Sequence, residues 1–237
     1  MNAHEIQRAG VLGAGTMGHG IAQVLAMQGV RVKLFDVDAE AVQGGLAMMA
    51  VNLQKGVERG KVTEAERDEA FQLIQGVTTM DDACEGAELV VEAAPEIMEI
   101  KLSIFEDLGA RLGPEVLLAT NTSSLSVDDI AAALPNPERV VGMHFFNPVR
   151  PMPLVEIVRG SQTSDEVVTK TAALALRMGK TPVVVKDVAG FLVNRLLGPY
   201  LDEAIRLYTS GVDPERLDRL AEEFGMPMGP MRLLDEV

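Results

Sequence analysis

The stretch Val11-Leu12-Gly13-Ala14-Gly15-Thr16-Met17-Gly18 has the spacing G-x-G-x-x-G. Alone the string carries little weight, because glycine triplets of this spacing occur in many turns. Its setting carries more. Ala9 to Leu12 reads as a strand, and helical spacing runs from about Met17 to Gln28. A glycine loop between strand and helix is where a phosphate-bearing ligand meets main-chain N–H groups and the positive end of the helix dipole. Gly13 allows the tight turn, Gly15 lets the backbone approach a pyrophosphate, and Gly18 lets the helix pack closely on the sheet. Thr16 and Met17, inside the loop, are counted with the three glycines as cofactor-binding positions.

Val30 to Phe35 reads as the second strand, and Asp36 stands at its end. A carboxylate there accepts hydrogen bonds from an adenosine ribose and repels a 2′-phosphate. Val37 and Asp38 supply no cation for such a phosphate, so the pattern selects NAD over NADP. A glycine turn followed by an Asp helix cap would explain each feature separately but not their common register. FAD shares the motif and is disfavoured only by the rest of the chain.

Outward from the loop, β-branched runs alternate with helical patterns, the signature of a parallel sheet flanked by helices. A helix is expected over Ala39 to about Arg59, weakened by Gly44 and Gly45, and a charged one over Glu64 to Gln75. Strands are expected at Val77–Thr79, Leu89–Ala93, Leu117–Thr120, Val140–His144, Leu154–Val158 and Thr181–Val185. Ile97–Arg111 and Val127–Ala133 read as helices. The fold class is therefore α/β, a Rossmann-type doubly wound sheet with an inserted helical pair. From Gly190 the apolar spacing turns helical, and Asp213-Pro214 is a good helix start. Gly225, Pro227, Gly229 and Pro230 break that pattern, and Val237 falls inside what reads as a new helix. Two domains are expected: 1–188, binding the dinucleotide, and 189–237, part of an all-helical second domain for substrate or dimerisation.

The formal net charge of −14 argues against a nucleic-acid partner. The absence of Trp and the presence of only two Tyr remove stacking platforms as well. A polyanionic ligand would need a local cluster of cations, and the one candidate is Lys55, Arg59 and Lys61. A solvated helix end explains those three at least as well. The single cysteine, Cys84, excludes an intrachain disulfide framework, and its acidic neighbours Asp81, Asp82 and Glu85 should raise its pKa. Neither a signal core nor an apolar run near the roughly 18 residues of a membrane span is present, so a cytoplasmic protein is expected.

Acid–base chemistry near neutral pH most often uses His. Of the three, His4 lies in a terminus expected to fray, and His19 sits just inside the glycine loop as a packing or cofactor-facing residue. His144 ends a strand, at the carboxyl edge where open α/β sheets bind ligands. A lone His there is more often structural than catalytic. Glu156 shifts the balance, because a carboxylate within the apolar run Leu154-Val155-Glu156-Ile157-Val158 is costly without a buried partner. If the segments flanking Pro148, Pro151 and Pro153 form adjacent strands, Glu156 can reach His144 and fix its tautomer; the alternative is a solvent-facing Glu on an edge strand. After the strand ending at Thr120, Asn121-Thr122-Ser123-Ser124 could polarise a substrate oxygen or cap the next helix. Ser126, three residues before Asp129, is the better cap and leaves Ser123 available to a ligand. No metal-ligand cluster and no Ser-His-Asp order is present in the sequence.

Taken together, Gly13–Gly18 with Asp36, Val90-Val91-Glu92-Ala93, Asn121-Thr122-Ser123-Ser124, His144-Phe145-Phe146-Asn147-Pro148, Leu154-Val155-Glu156 and Gly190-Phe191-Leu192-Val193-Asn194-Arg195 resemble the L-3-hydroxyacyl-CoA dehydrogenase family. The resemblance covers nearly the entire chain and is most specific in the HFFNP and GFLVNR strings. The stretches 139–160 and 178–193 look especially like the dehydrogenase part of multifunctional fatty-acid oxidation enzymes. The resemblance implies NAD-dependent oxidation of an acyl-CoA substrate, with His144 as base, Glu156 supporting it, and Ser123 and Asn194 hydrogen-bonding the substrate. It places Glu96, Lys101 and Asn147 along the cofactor and substrate cleft, and the Lys55–Lys61 hairpin against coenzyme A. Family members carry further helices after Leu233–Val237, which implies a C-terminally truncated chain, a homo-oligomer or part of a larger multifunctional polypeptide. The alternative is an NAD-binding, catalytically silent fragment or structural homologue. Another β-hydroxyacid dehydrogenase is disfavoured, since such enzymes use a Lys in the helical part and none follows Gly190.

Overall fold

The computed structural model describes residues 6–236. His4 and Val237 lie outside them. The chain divides into two compact units, one up to Val188 and one from Ala189.

The first unit is built on an eight-stranded sheet. β1 (Arg8–Leu12), β2 (Arg31–Phe35), β3 (Ile74–Val77), β4 (Leu89–Glu92), β5 (Leu117–Thr120) and β6 (Val140–Phe145) are parallel, in the order β3-β2-β1-β4-β5-β6. β7 (Leu154–Arg159) runs antiparallel to β6, and β8 (Thr181–Lys186) runs parallel to β7 at the edge. This is the doubly wound order, and the reversal between β1 and β4 opens the crevice where such sheets bind ligands. Strands covered on both faces read as continuous apolar runs, and Val11, Leu34, Leu89, Leu118, Val141, Val155 and Ile157 are all buried.

Helices α1 (Thr16–Ala26), α2 (Ala39–Glu58), α3 (Glu64–Gln72), α4 (Met80–Cys84), α5 (Met98–Arg111), α6 (Val127–Ala131) and α7 (Asp165–Arg177) cover the sheet. The inserted pair is α2 and α3. A Thr63–Glu66 capping box starts α3, and Asp38 caps α2 through the Glu40 amide. Helix α3 ends at Gln72 rather than Gln75, because Ile74 already pairs with Val32 and the strand expected at Val77–Thr79 lies earlier. Helix α7 has no counterpart among the expected elements. Its signals are local all the same: Ser164 accepts from the Val167 amide, Asp165 and Glu166 fill the first turn, and Val168, Thr171, Leu174 and Ala175 are buried. Cys84 is buried at the end of α4. Burial first of all pushes its thiol up; the Arg111 guanidinium opposes the rise, and Asp107 and Asp81 add to it.

The second unit holds α8 (Val193–Thr209), α9 (Pro214–Phe224) and α10 (Pro230–Glu236). Gly190 and Phe191 take left-handed backbone before α8, and Gly225 ends α9 at φ +114°. Asp218 accepts from the Met231 and Arg232 amides at 2.8 and 3.2 Å, which fastens α10 onto α9. Among the described residues no helix is long and apolar enough to cross a membrane.

Candidate active site

The glycine loop leaves β1 and enters α1 with Gly13 at φ +99°. A Cβ at Gly13 would meet the Ala93 carbonyl oxygen at 2.5 Å, and one at Gly18 would meet the Gly13 carbonyl oxygen at 1.7 Å. At Gly15, by contrast, a Cβ would face open space, which leaves that main chain accessible to a ligand. Asp36 Oδ2 accepts from the Ala14 amide at 2.9 Å and Oδ1 from the Asp38 amide at 3.2 Å. The carboxylate is therefore fixed beside the loop. Glycine cradle, helix start and fixed acid together fit a dinucleotide. Thr16 and Met17 form the first turn of α1.

At the end of β4, Glu92 is fully buried. Its Oε1 faces the Lys101 ammonium at 2.7 Å and the Ala94 amide at 2.7 Å, while Oε2 accepts from the Thr120 hydroxyl at 2.6 Å. Lys101, only 1% exposed, also lies 3.4 Å from Glu96 Oε2. Glu96 Oε1 in turn collects the turn after β5. It accepts from the Thr122 hydroxyl at 2.6 Å, the Ser123 amide at 2.7 Å, the Ser123 hydroxyl at 3.1 Å and the Ser124 amide at 3.1 Å. Burial pushes the Glu96 carboxyl up, but the Thr122 and Ser123 hydrogen bonds and the Lys101 charge outweigh it and hold the group below the usual carboxylate range. Ser126 does cap α6, accepting from the Asp129 amide. Ser123 is nonetheless engaged, on Glu96, rather than left idle by that cap.

Two strands along, His144 and Glu156 are register partners of the antiparallel β6–β7 pair. His144 Nδ1 and Glu156 Oε2 lie 2.7 Å apart, with His144 6% exposed and Glu156 0%. The reversal around Pro148, Pro151 and Pro153 brings the two together. Glu156 is thus inside the sheet and not on a solvent-facing edge. With Nδ1–H donating to the carboxylate, the neutral ring carries its lone pair on Nε2. Phe146 packs on the imidazole, ring centroids 4.5 Å apart. Asn121 Oδ1 accepts from the Phe145 amide at 3.0 Å, tying the Ser123 turn to the end of β6.

Asn147 follows β6 and lines a cavity of about 550 Å³ together with Thr16, His19, Lys55, Arg59, Lys61 and Arg150. The basic cluster expected near α2 therefore faces a cavity. Asn194 lies in the first turn of α8, in the second unit. Among the described residues, no three His, Cys, Asp or Glu side chains are grouped to hold a metal ion.

Sequence reasoning gives no role to Glu92, Thr120, Arg150 or Lys180. Glu92 carried the same signal that singled out Glu156, a carboxylate within an apolar strand. Lys180 carried none, because its partners are main-chain carbonyls.

Residues 8–188 match the model of the 3-hydroxyacyl-CoA dehydrogenase NAD binding domain, and residues 190–237 match that of the 3-hydroxyacyl-CoA dehydrogenase C-terminal domain. The fatty acid oxidation complex subunit alpha of Pseudomonas putida is 43% identical over 99% of this chain and 33% of its own length. The chain thus spans about a third of the curated relatives it matches. Among solved structures, M. tuberculosis FadB2 is 42% identical with a TM-score of 0.92, covering 97% of this chain and 81% of that one. The (S)-3-hydroxybutyryl-CoA dehydrogenase PaaH1 of Ralstonia eutropha is 40% identical with a TM-score of 0.93, covering 98% and 82%. With the two domain models matched one after the other along one continuous chain, the protein belongs to the 3-hydroxyacyl-CoA dehydrogenase family, residues 8–188 matching that family's NAD-binding domain.

Proposed function

We propose that the chain carries the NAD-dependent oxidation of an L-3-hydroxyacyl-CoA to the 3-ketoacyl-CoA, in fatty-acid β-oxidation or related short-chain acyl-CoA metabolism. The observation that carries this reading is the buried His144–Glu156 pair at the carboxyl edge of the same sheet that presents the glycine loop. Bound NAD supplies the hydride acceptor. His144 takes the 3-hydroxyl proton on Nε2 and holds it as imidazolium, whose charge Glu156 balances. Ser123, fixed through Glu96, hydrogen-bonds the substrate oxygen; Asn194 shares that task on the strength of the Gly190–Arg195 motif. Lys101 and Glu96 serve the cofactor side by fixing the Thr122–Ser124 turn, and Asn147, which lines the same cavity as Thr16, is read as a cofactor contact. The share of the curated relatives supports reading the chain as one module of a larger multifunctional polypeptide.

Mixing the chain with NADH and acetoacetyl-CoA tests the proposal. Turnover, read as loss of NADH absorbance, is the expected result. Tight NADH binding without oxidation would favour the silent, cofactor-binding alternative. A second outcome concerns Asp36. Replacing it with Ala removes the ribose acceptor and frees the Ala14 amide. A charge-assisted hydrogen bond contributes about 1.5–3 kcal/mol, so NADH affinity should fall about tenfold or more while NADPH affinity changes little or rises. Equal losses for both dinucleotides would show that Asp36 only shapes the loop.

A further inference from the structure

We propose that Arg150 is an anion-binding residue of the cavity beside α2, and that the buried Lys180 is a positioning residue that aims it, the pair setting affinity for the phosphorylated end of the coenzyme A thioester. The identity of the ligand rests on the dehydrogenase reading; the anion preference does not.

Lys180 lies between α7 and β8 and is 5% exposed. Its ammonium donates to the carbonyl oxygens of Val149, Arg150 and Met152, the last two at 3.0 and 2.8 Å. All three protons of the group are used, on three carbonyls of one four-residue segment. Burial, and next the Arg150 guanidinium, push the Lys180 ammonium below the usual lysine range. A buried cation with another cation nearby is costly. What that cost secures is a fixed path for residues 149–152.

The path sends Arg150 toward α2. A Cβ built on Gly56 would meet the two terminal guanidinium nitrogens of Arg150 at 2.8 and 3.3 Å, so the guanidinium rests on the helix where it has no side chain. Arg150 there lines the same cavity as Lys55, Arg59 and Lys61. Among the described residues no carboxylate lines that cavity, in a chain of net charge −14. Four cations around one space, with Asn52 and Asn147 among the remaining walls, suit an extended ligand ending in phosphate. Arg150 differs from the other three cations in arriving from the β6–β7 connection, the segment that also carries Asn147. It therefore couples the ligand's charged end to the His144 side of the sheet.

Calorimetric titration of the full chain with coenzyme A, with pantetheine and with NADH tests this. Arg150→Met should weaken coenzyme A binding about tenfold or more and leave pantetheine, which has no nucleotide phosphates, and NADH unchanged. Arg150→Lys should recover part of the loss. Lys180→Met should weaken coenzyme A binding by a similar factor, and the double variant should be no worse than the stronger single one. Unchanged coenzyme A binding in Arg150→Met, equal losses for coenzyme A and pantetheine, or no coenzyme A binding by the unaltered chain would each overturn the assignment. If Lys180→Met does not fold, the Arg150 pair still decides. Acetoacetyl-CoA turnover measured alongside separates the two claims. Binding through Arg150 without NADH oxidation sinks the dehydrogenase reading alone. Turnover with a KM indifferent to Arg150→Met sinks this one alone.

Discussion

Replacing His144 with Gln is expected to lower acetoacetyl-CoA turnover by about 10²–10⁴-fold, the usual contribution of a positioned acid–base group, while NADH binds as before. The amide of Gln is similar in reach and can still donate to Glu156, so the buried carboxylate keeps a partner and the fold should hold. What it cannot do is accept or deliver a proton. The imidazole does so because Glu156, 2.7 Å from Nδ1 and shut away from water, makes one tautomer and one orientation cheaper than the others. Glu156→Gln should consequently impair kcat too, by turning the ring rather than removing it, with little change in KM for NADH. Single-turnover measurements with saturating NADH isolate the step. Wild-type rates in His144→Gln would remove His144 from the mechanism.

The parts of this site that were legible in the sequence are those whose physics is local or carries a visible cost. Gly13, Gly15 and Gly18 between a strand and a helix, and Asp36 after the next strand, are read within about one βαβ unit. Glu156 was legible because an acid in an apolar run demands a partner, and the prolines at 148, 151 and 153 marked a reversal that could supply one. The same rule applies to Glu92, whose partners Lys101 and Thr120 lie on α5 and β5; without a reversal to point at them, the demand went unanswered. Helix α7 was missed although Ser164, Asp165 and Glu166 announce it. Its apolar positions are spaced among Thr and Ala and were not weighed as a stripe. Lys180 was out of reach in principle: main-chain carbonyls belong to every residue and leave no mark on the sequence.

Lys101→Met should destabilise the first unit strongly. It would leave the Glu92 carboxylate, fully buried, with only the Ala94 amide and Thr120 hydroxyl, and would strip a cation from beside Glu96. Removing one member of a buried pair costs about 3–5 kcal/mol, against a total stability of about 5–15 kcal/mol for an ordinary domain. The loss should appear as a lower urea midpoint by circular dichroism, the chain having no Trp to report by fluorescence. Adding Glu92→Gln removes the stranded charge, and the amide oxygen can still accept from Ala94 or Thr120, so the double variant should regain at least half of the loss. A single variant within about 1 kcal/mol of the parent, below the buried-pair range, or a double variant no better than the single, would show that the pair is not what holds this edge of the sheet. Recovery of stability should not restore turnover in equal measure. Glu96 would still lack the ammonium 3.4 Å away that helps keep it ionised, and it is the ionised Glu96 that gathers Thr122, Ser123 and Ser124 into one turn. The charge buried under β4 thus serves the fold and the position of Ser123 by separable routes, and the double variant is where they part.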